Sequence, residues 1–356
     1  MSLKADLIAR IRETGPLSIA DYMAECLLHP VHGYYTTRDP LGAAGDFTTA
    51  PEISQMFGEL IGLVLAQSWI DQGRPDRFVL AELGPGRGTL MADLLRAARA
   101  VPGFTEAAEI HLVEASPTLR AAQAGTLKGY APRWLDRAQD LPADLPLFVV
   151  ANEFFDALPV RQFVRQGAGW CERQVGLRDG KLAFGLGGEA PQAALAHRLE
   201  DTSAGDLVEI CEAAPPIVSA LAARIAARGG AALIVDYGDW RSLGDTLQAL
   251  RAHEPADVLD DPGQADLTAH VDFEPLADAA RAAGCAHGPL TPQGVFLERL
   301  GITARAQALA RGLSGAALED LVAAHRRLTH PEEMGNLFKV LGLYPPRATP
   351  PPGLDP

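Results

Sequence analysis

The stretch that decides the fold reads Val79-Leu-Ala-Glu-Leu-Gly84-Pro-Gly86-Arg-Gly88-Thr-Leu90. It begins as a short apolar run, typical of a buried strand, and its glycine cluster leads into a helical pattern. Glycines at such a turn allow a tight bend and let a ligand approach the backbone without meeting Cβ atoms. Glycine also punctuates many purely structural turns, so the turn alone indicates a ligand site without identifying the ligand.

Short apolar runs alternate with helical segments on both sides of this turn. The runs that predict strands are 78–83, 110–114, 147–151, 206–212 and 231–236, and helical patterns cover 89–100, 117–128 and 216–228. This alternation predicts right-handed βαβ units around a buried, parallel sheet. Residues 159–189 instead contain three strand-like runs separated by Gly167 and Asp179-Gly180, which predicts an antiparallel insertion.

Two acidic residues accompany the glycine turn. Glu82 stands two residues before Gly84, and the G-x-G-x-G spacing differs from the G-x-G-x-x-G of dinucleotide sites. A pyrophosphate would be repelled by this carboxylate, whereas a cation at about 4 Å gains about 4 kcal/mol at an effective dielectric near 20. Glu114 ends the next strand, where a carboxylate can accept both hydroxyls of a ribose, although it can also serve only the capping of the following helix. Together with Gly86 and Gly88, these acids are characteristic of a site for S-adenosylmethionine.

Several longer motifs resemble one known family. They are Gly33-Tyr-Tyr35, Gly45-Asp-Phe-Thr-Thr-Ala-Pro-Glu-Ile-Ser-Gln-Met-Phe-Gly-Glu59, Glu82-Leu-Gly-Pro-Gly-Arg-Gly-Thr89, Asn152-Glu-Phe-Phe-Asp-Ala-Leu-Pro159, Val235-Asp-Tyr-Gly238, His270-Val-Asp-Phe273 and Met334-Gly-Asn-Leu-Phe-Lys-Val-Leu341. The chain resembles, over nearly its whole length, the MidA-like family of class I methyltransferases that act in complex I assembly. The resemblance implies an α/β, Rossmann-like, seven-stranded sheet with an N-terminal helical layer and an inserted smaller α+β lobe. It also implies methylation of an arginine on a subunit of the respiratory NADH dehydrogenase.

The same patterns divide the chain into consecutive segments. We predict an N-terminal helical segment with a cofactor-covering loop at 1–74, a first core part at 75–158, a β-hairpin insertion at 159–205, a second core part at 206–300, a helical accessory segment at 301–333, a closing strand at 334–344 and a loose tail at 345–356.

The candidate catalytic residues follow the strand at 147–151. A guanidinium has a pKa above about 12 and no basic lone pair, so carboxylates should orient it and accept its proton. Glu153 is the first candidate and Asp156 the second, because ligands bind at this edge of open α/β sheets. Each also has a structural interpretation, as a charge at a helix N-terminus or a turn cap. His270 and Asp272 would share one face of an extended segment and are candidates to border the arginine pocket.

Further residues are assigned to the cofactor. Asp46 and Thr48 lie in a Gly- and Thr-rich loop that could fold over it as a lid, although such loops are more often passive surface. Asp140 is a candidate to meet the adenine amino group, with Leu141 against the ring. Asn152 is placed at the cofactor because it opens the motif at the same sheet edge.

The strand at 231–236 ends at the same sheet edge as the strand at 147–151. The residues at its end, Asp236-Tyr237-Gly238, are candidates to line the channel for the target arginine.

Composition excludes several classes of protein. The chain has 356 residues and a formal net charge of −14, which disfavours wholesale binding of nucleic acid or anionic membranes. No stretch reaches the roughly 18 apolar residues of a spanning helix, and the first residues lack a leader pattern, so we expect a bacterial cytoplasmic protein. We expect no metal site.

Two alternatives to an arginine methyltransferase remain open: a non-catalytic assembly chaperone with a retained cofactor pocket, and a nucleotide-dependent oxidoreductase. Glu82 and the glycine spacing disfavour the oxidoreductase, and Glu153 would have no use in a pure chaperone. The sequence specifies neither the target arginine nor the number of methyl groups added.

Overall fold

The computed structural model describes residues 2–37, 49–251 and 253–355. The helices are α1 (Leu3–Thr14), α2 (Ile19–Leu28), α3 (Tyr34–Thr37), α4 (Ala50–Ile53), α5 (Gln55–Asp71), α6 (Thr89–Ala98), α7 (Phe104–Ala107), α8 (Pro117–Thr126), α9 (Ala214–Arg228), α10 (Phe273–Ala282), α11 (Gln293–Arg299), α12 (Ile302–Ala310) and α13 (Ala316–Thr329). The strands are β1 (Leu17–Ser18), β2 (Phe78–Leu83), β3 (Ala108–Val113), β4 (Arg133–Leu135), β5 (Leu147–Asn152), β6 (Arg161–Gln166), β7 (Gly169–Arg178), β8 (Lys181–Ala190), β9 (Leu207–Ile210), β10 (Gly230–Asp239), β11 (Gln248–Arg251), β12 (Glu254–Ala256), β13 (Asp266–Thr268), β14 (Val271–Asp272), β15 (Ala286–His287), β16 (Thr291–Pro292) and β17 (Phe338–Tyr344).

The described residues form two compact units. The larger draws on Thr48–Phe155, Pro215–Trp240 and Phe273–Pro356, and the smaller on Met1–Phe47, Asp156–Ala214 and Arg241–Asp272. The chain passes from one unit to the other several times, so neither unit is a continuous segment of sequence.

The larger unit is built on a sheet in the order β15-β17-β10-β5-β2-β3-β4. The strands from β10 to β4 are parallel, and β17 is antiparallel to β10. Every residue of β2 and β5 is buried, as expected for central strands of a parallel sheet. The predicted α/β class is therefore confirmed. Among the described residues the sheet has nine strands where seven were predicted, because two further two-residue strands pair with it outside this order.

Packing against α5 fixes the position of α6, the helix that follows the glycine turn. Helix α5 lies on α6, and a Cβ placed on Gly62 would come 2.7 Å from the carbonyl oxygen of Leu94. Such a close approach requires glycine, and it holds α6 against the core. The fully buried Met91 and Leu95 show which face of α6 is covered.

The smaller unit contains an antiparallel sheet in the order β1-β7-β6-β9, with β8 paired to β7. Strands β6 to β8 form the expected insertion. Strand β9 corrects the prediction, because residues 206–212 were expected to resume the parallel sheet, whereas β9 pairs antiparallel with β6. The buried Glu209 accepts a hydrogen bond of 2.7 Å from Gln162 Nε2, a long-range contact that an apolar run alone does not reveal. Residues 206–214 and 241–272 thus belong to the smaller unit and not to the core.

The C-terminal tail is packed where a loose segment was expected. The side chain of Leu354 is fully buried in the core of the larger unit. A Cβ placed on Gly342 would come 2.5 Å from Leu354 Cδ1, so β17 and the tail are in close contact. Proline prevents regular hydrogen bonding in this tail, but it does not prevent apolar packing.

Candidate functional site

Glu82 is the next-to-last residue of strand β2, and its carboxylate is enclosed by protein. Only 3 % of the residue is exposed, and the backbone N–H of Met91, in the first turn of α6, donates to the carboxylate. Among the described residues, the second oxygen, Oε2, has no hydrogen-bond partner. Burial, with a smaller contribution from the charge of Glu114, raises the pKa of Glu82 to about 8. A buried acceptor without a donor is costly, so this oxygen is suited to an incoming donor or cation.

The glycine turn needs its glycines for two different reasons. Gly84, Gly86 and Gly88 all have positive φ, at 62°, 54° and 82°, which L side chains rarely adopt. A Cβ on Gly84 would in addition lie 3.0 Å from Cδ2 of Phe154. The residue that follows Glu153 therefore packs directly on the first glycine of the turn.

Glu114 follows β3 and is held at both carboxylate oxygens. Oε1 accepts the backbone N–H of Ser116 at 2.7 Å, and Oε2 accepts Nε2 of Gln123 at 3.2 Å. Burial raises the pKa of Glu114, although these donors oppose the increase. Glu114 and Glu82 are close enough for their charges to interact, so the two predicted cofactor acids come together at one end of the sheet.

The motif after β5 brings Glu153 into an unusual backbone conformation. Its φ is 51°, one of few positive values at residues other than glycine within the described chain. Its N–H still continues the sheet by donating to the carbonyl of Val235. Its Oε1 accepts hydrogen bonds of 3.0 Å from the N–H of Ala50, the first residue of α4, and from Nδ2 of Asn152. A strained residue that is hydrogen-bonded on both sides is typical of functional sites.

Asp236 fixes this turn from the neighbouring strand, which differs from its expected role in the target channel. It is fully buried in β10, and its Oδ2 accepts the N–H groups of Phe154 at 3.2 Å and Phe155 at 3.0 Å. Its Oδ1 accepts the N–H of Tyr237. Sequence reasoning did not assign this supporting role, and it also missed Gln123 altogether.

The remaining cofactor candidates differ in burial. Asp140 ends a short 3-10 turn, is exposed and interacts electrostatically with Arg224, whereas Leu141 is 2 % exposed. Asp46 and Thr48 lie outside the described residues.

Three of the four catalytic candidates belong to the smaller unit. Asp156 is buried, and its charge contributes to raising the pKa of Tyr35, after desolvation and the charge of Asp266. The backbone of His270 donates to Thr246 Oγ1 at 2.8 Å. Asp272 lies 4.0 Å from the buried guanidinium of Arg198. Only Glu153 lies in the larger unit, with the glycine turn.

The larger unit fits an S-adenosylmethionine site by its own chemistry. The partnerless carboxylate oxygen of Glu82 suits a positively charged amine, and the glycine turn exposes backbone to a ligand. Glu114 supplies acceptors suited to a ribose. Within the described ranges, no three His, Cys, Asp or Glu side chains form a group that could hold a metal ion.

The parallel sheet with an antiparallel β17, the acid-flanked glycine turn and the acid after β3 define a class I methyltransferase. Residues 60–290 match the model of a family described as S-adenosyl-L-methionine-dependent methyltransferases. The chain belongs to this family. The predicted family and cofactor are thereby confirmed, and an oxidoreductase is not supported.

Relatives and solved structures agree with this membership. The chain is 39% identical to the zebrafish (Danio rerio) protein named protein arginine methyltransferase NDUFAF7, over 95% of this chain and 86% of that protein. It is 37% identical to the human (Homo sapiens) NDUFAF7, over 95% of this chain and 82% of that protein. A Burkholderia thailandensis protein solved with bound S-adenosyl-homocysteine is 31% identical, with a TM-score of 0.83 over 99% of this chain and 92% of the other.

The expected cytoplasmic location is wrong. The zebrafish, human and Drosophila melanogaster relatives are all named as mitochondrial proteins. The prediction rested on the lack of a spanning apolar stretch and of a leader pattern in the first residues, and neither observation decides the compartment. In the part of the chain that the structure describes, no helix is both long and apolar enough to cross a bilayer.

Proposed function

We propose that this protein transfers a methyl group from S-adenosylmethionine to an arginine of a protein substrate, a subunit of the respiratory NADH dehydrogenase, during assembly of that complex. The names of the relatives support both parts: they are protein arginine methyltransferases, and the designation NDUFAF7 points to assembly of NADH dehydrogenase. The similarity covers nearly all of this chain, including both compact units.

The proposed cofactor site centres on the glycine turn. Glu82 receives the amino group, Gly84, Gly86 and Gly88 allow close backbone approach, and Glu114 accepts the ribose hydroxyls. The support is the partnerless buried oxygen of Glu82 and the two-sided anchoring of Glu114. We assign Asn152, Asp140, Leu141, Asp46 and Thr48 to the same cofactor, as proposed from the sequence.

The bound cofactor supplies a methyl group on a positively charged sulfur, so the protein has to orient the nucleophile and accept its proton. An arginine side chain is protonated near neutral pH and has no lone pair suited to attack. In our proposal Glu153 hydrogen-bonds the guanidinium, holds it in line and accepts the proton as the new bond forms. Asp156, His270 and Asp272 are kept as further catalytic candidates, as proposed from the sequence.

One observation carries this assignment. Phe154, the neighbour of Glu153, contacts Gly84, so the turn with the proposed base adjoins the turn proposed for the cofactor. Asp236 and the N–H of Ala50 hold the Glu153 turn in place. Methyl transfer requires the nucleophile to be aligned with the methyl group, so a base held in a fixed position suits this reaction.

The test is methylation of NADH dehydrogenase subunits by purified protein and S-adenosylmethionine, followed by mass spectrometry of arginine-containing peptides. We expect methylarginine with the wild type and at least about a hundredfold lower rate with Glu153→Gln, as is usual when a general base is removed. Glu109→Gln, which alters an exposed ion pair with Arg77 and Arg133, is the matched control and should retain full activity.

Undiminished methylation by Glu153→Gln would show that the catalytic assignment is wrong while the enzyme class stands. Cofactor binding without methylation of any subunit by the wild type would favour the chaperone alternative.

A further inference from the structure

Gln123 is a fully buried polar residue on a helix face that should be apolar. In α8 the buried residues are Leu119 and Gln123, one helical turn apart, and Gln123 has no exposed surface. Burying an amide is costly unless its hydrogen bonds are made within the protein. Two of its three side-chain hydrogen bonds lead to the proposed cofactor site, one to the glycine turn and one to Glu114.

The amide of Gln123 joins three separate segments. Its Nε2 donates to the carbonyl oxygen of Gly86 at 2.7 Å and to Oε2 of Glu114 at 3.2 Å. Its Oε1 accepts the indole N–H of Trp134, in β4, at 2.8 Å. A Cβ on Gly88 would lie 3.5 to 3.7 Å from atoms of Gln123, so the side chain also packs against the glycine turn.

The direction of this amide is determined by its partners. Rotation by 180° would place the amide oxygen against the carbonyl of Gly86 and the carboxylate of Glu114, which are both acceptors. It would also place the NH₂ group against the indole N–H of Trp134, a donor. Only one orientation satisfies all three partners, so the amide joins them in one defined arrangement.

We infer that Gln123 is a positioning residue for the cofactor: it couples the glycine turn to Glu114 and aims that carboxylate at the ribose hydroxyls. This inference rests on the proposed cofactor site. It differs from the roles of Glu82 and Glu114, because Gln123 acts through the Gly86 carbonyl and the Glu114 carboxylate and not by touching the ligand.

The experiment uses the full-length protein and isothermal titration calorimetry with two ligands. The first is S-adenosylhomocysteine, and the second is its analogue whose ribose lacks both hydroxyls. Gln123→Met keeps the length of the side chain and removes all three hydrogen bonds. Because hydrogen bonds to charged groups are among the stronger ones, we expect about a ten- to hundredfold weaker affinity for S-adenosylhomocysteine. The loss should be much smaller for the analogue.

Gln293→Met is the matched control, since Gln293 is also a fully buried glutamine of the larger unit but bonds the carbonyl of Leu328. It should bind both ligands as the wild type does. Gln123→Glu keeps the size and the acceptor for the indole of Trp134, and it gives the same readout if Gln123→Met fails to fold.

Two results separate failure of the inference from failure of the proposed site. Equal weakening of both ligands by the Gln123 variants, or no weakening, overturns the positioning role. If instead Glu114→Gln binds both ligands with wild-type affinity, the proposed ribose contact is itself wrong, and the role of Gln123 fails with it.

Discussion

Replacing Glu82 with glutamine should make the stability of the protein less sensitive to pH. In the folded chain burial, aided by the charge of Glu114, raises the pKa of Glu82 to about 8, against 4.5 for an unperturbed glutamate. Between these two values the unfolded chain loses the proton of this carboxyl while the folded chain keeps it. The stability of the wild type therefore falls as pH rises from about 4.5 to about 8, and Glu82→Gln lacks this contribution.

The size of the effect follows from the two pKa values. Each pH unit between 4.5 and 8 changes the unfolding free energy by about 1.4 kcal/mol, which gives about 5 kcal/mol over the interval. This is a large fraction of the stability of an ordinary domain. Relative to the wild type, the unfolding free energy of Glu82→Gln should rise by about this amount from pH 4.5 to pH 8. The affinity for S-adenosylhomocysteine should change with pH in the opposite direction to the stability. A ligand ammonium favours the ionised carboxylate, so the wild type should bind the ligand more tightly as pH rises.

The assay is urea unfolding of both proteins at pH 5, 6, 7 and 8, with the ligand affinity measured at the same pH values. Glu59→Gln is the control, because Glu59 is also buried in the larger unit. Burial raises its pKa, but the ion pairs with Arg305 and Arg96 outweigh this and lower it. Removing these pairs should destabilise the protein by an amount that is constant over this range. A constant free-energy difference between Glu82→Gln and the wild type would refute the reasoning.

Three further substitutions test other parts of the structure. Gly84→Ala, at φ 62° and against a phenylalanine ring, should cost about 1–3 kcal/mol in urea unfolding and weaken cofactor binding, whereas Gly185→Ala, with open space at its Cβ, should change neither. Asp236→Asn leaves one side-chain oxygen for three backbone N–H groups, so turnover of peptide substrate should fall more than cofactor affinity; unchanged turnover would contradict its supporting role. Leu354→Ala should lower the unfolding free energy by about 2–5 kcal/mol if the tail is packed, and Leu313→Ala, at an exposed site, should lower it little. In thermal melts, equal midpoints for the two variants would indicate a loose tail.

Sequence reasoning succeeded where the structure is local. The strand, the glycine turn and the first residues of α6 are contiguous, so their spacing predicts both the bend and the position of Glu82. The place of Glu114 at the end of the next strand was predicted for the same reason, because it follows that strand directly. The alternation of short apolar runs with helical segments was enough to predict the parallel sheet.

The supporting contacts were missed because they join residues far apart in the chain. Asp236 is 82 residues from Phe154, and Gln123 is 37 residues from Gly86. A buried glutamine on a helix looks like a surface residue in the sequence. Strand β9 was assigned to the wrong sheet because Leu-Val-Glu-Ile is too short and too apolar to specify its partner.

The most direct test of the account is a crystal structure of the protein grown with S-adenosylhomocysteine. We predict that the ligand lies on the turn from Gly84 to Gly88, with its amino group beside Glu82 and its ribose hydroxyls on Glu114. A ligand bound elsewhere, or a turn left empty at saturating concentration, would contradict the claim that this turn is the methyl-donor site.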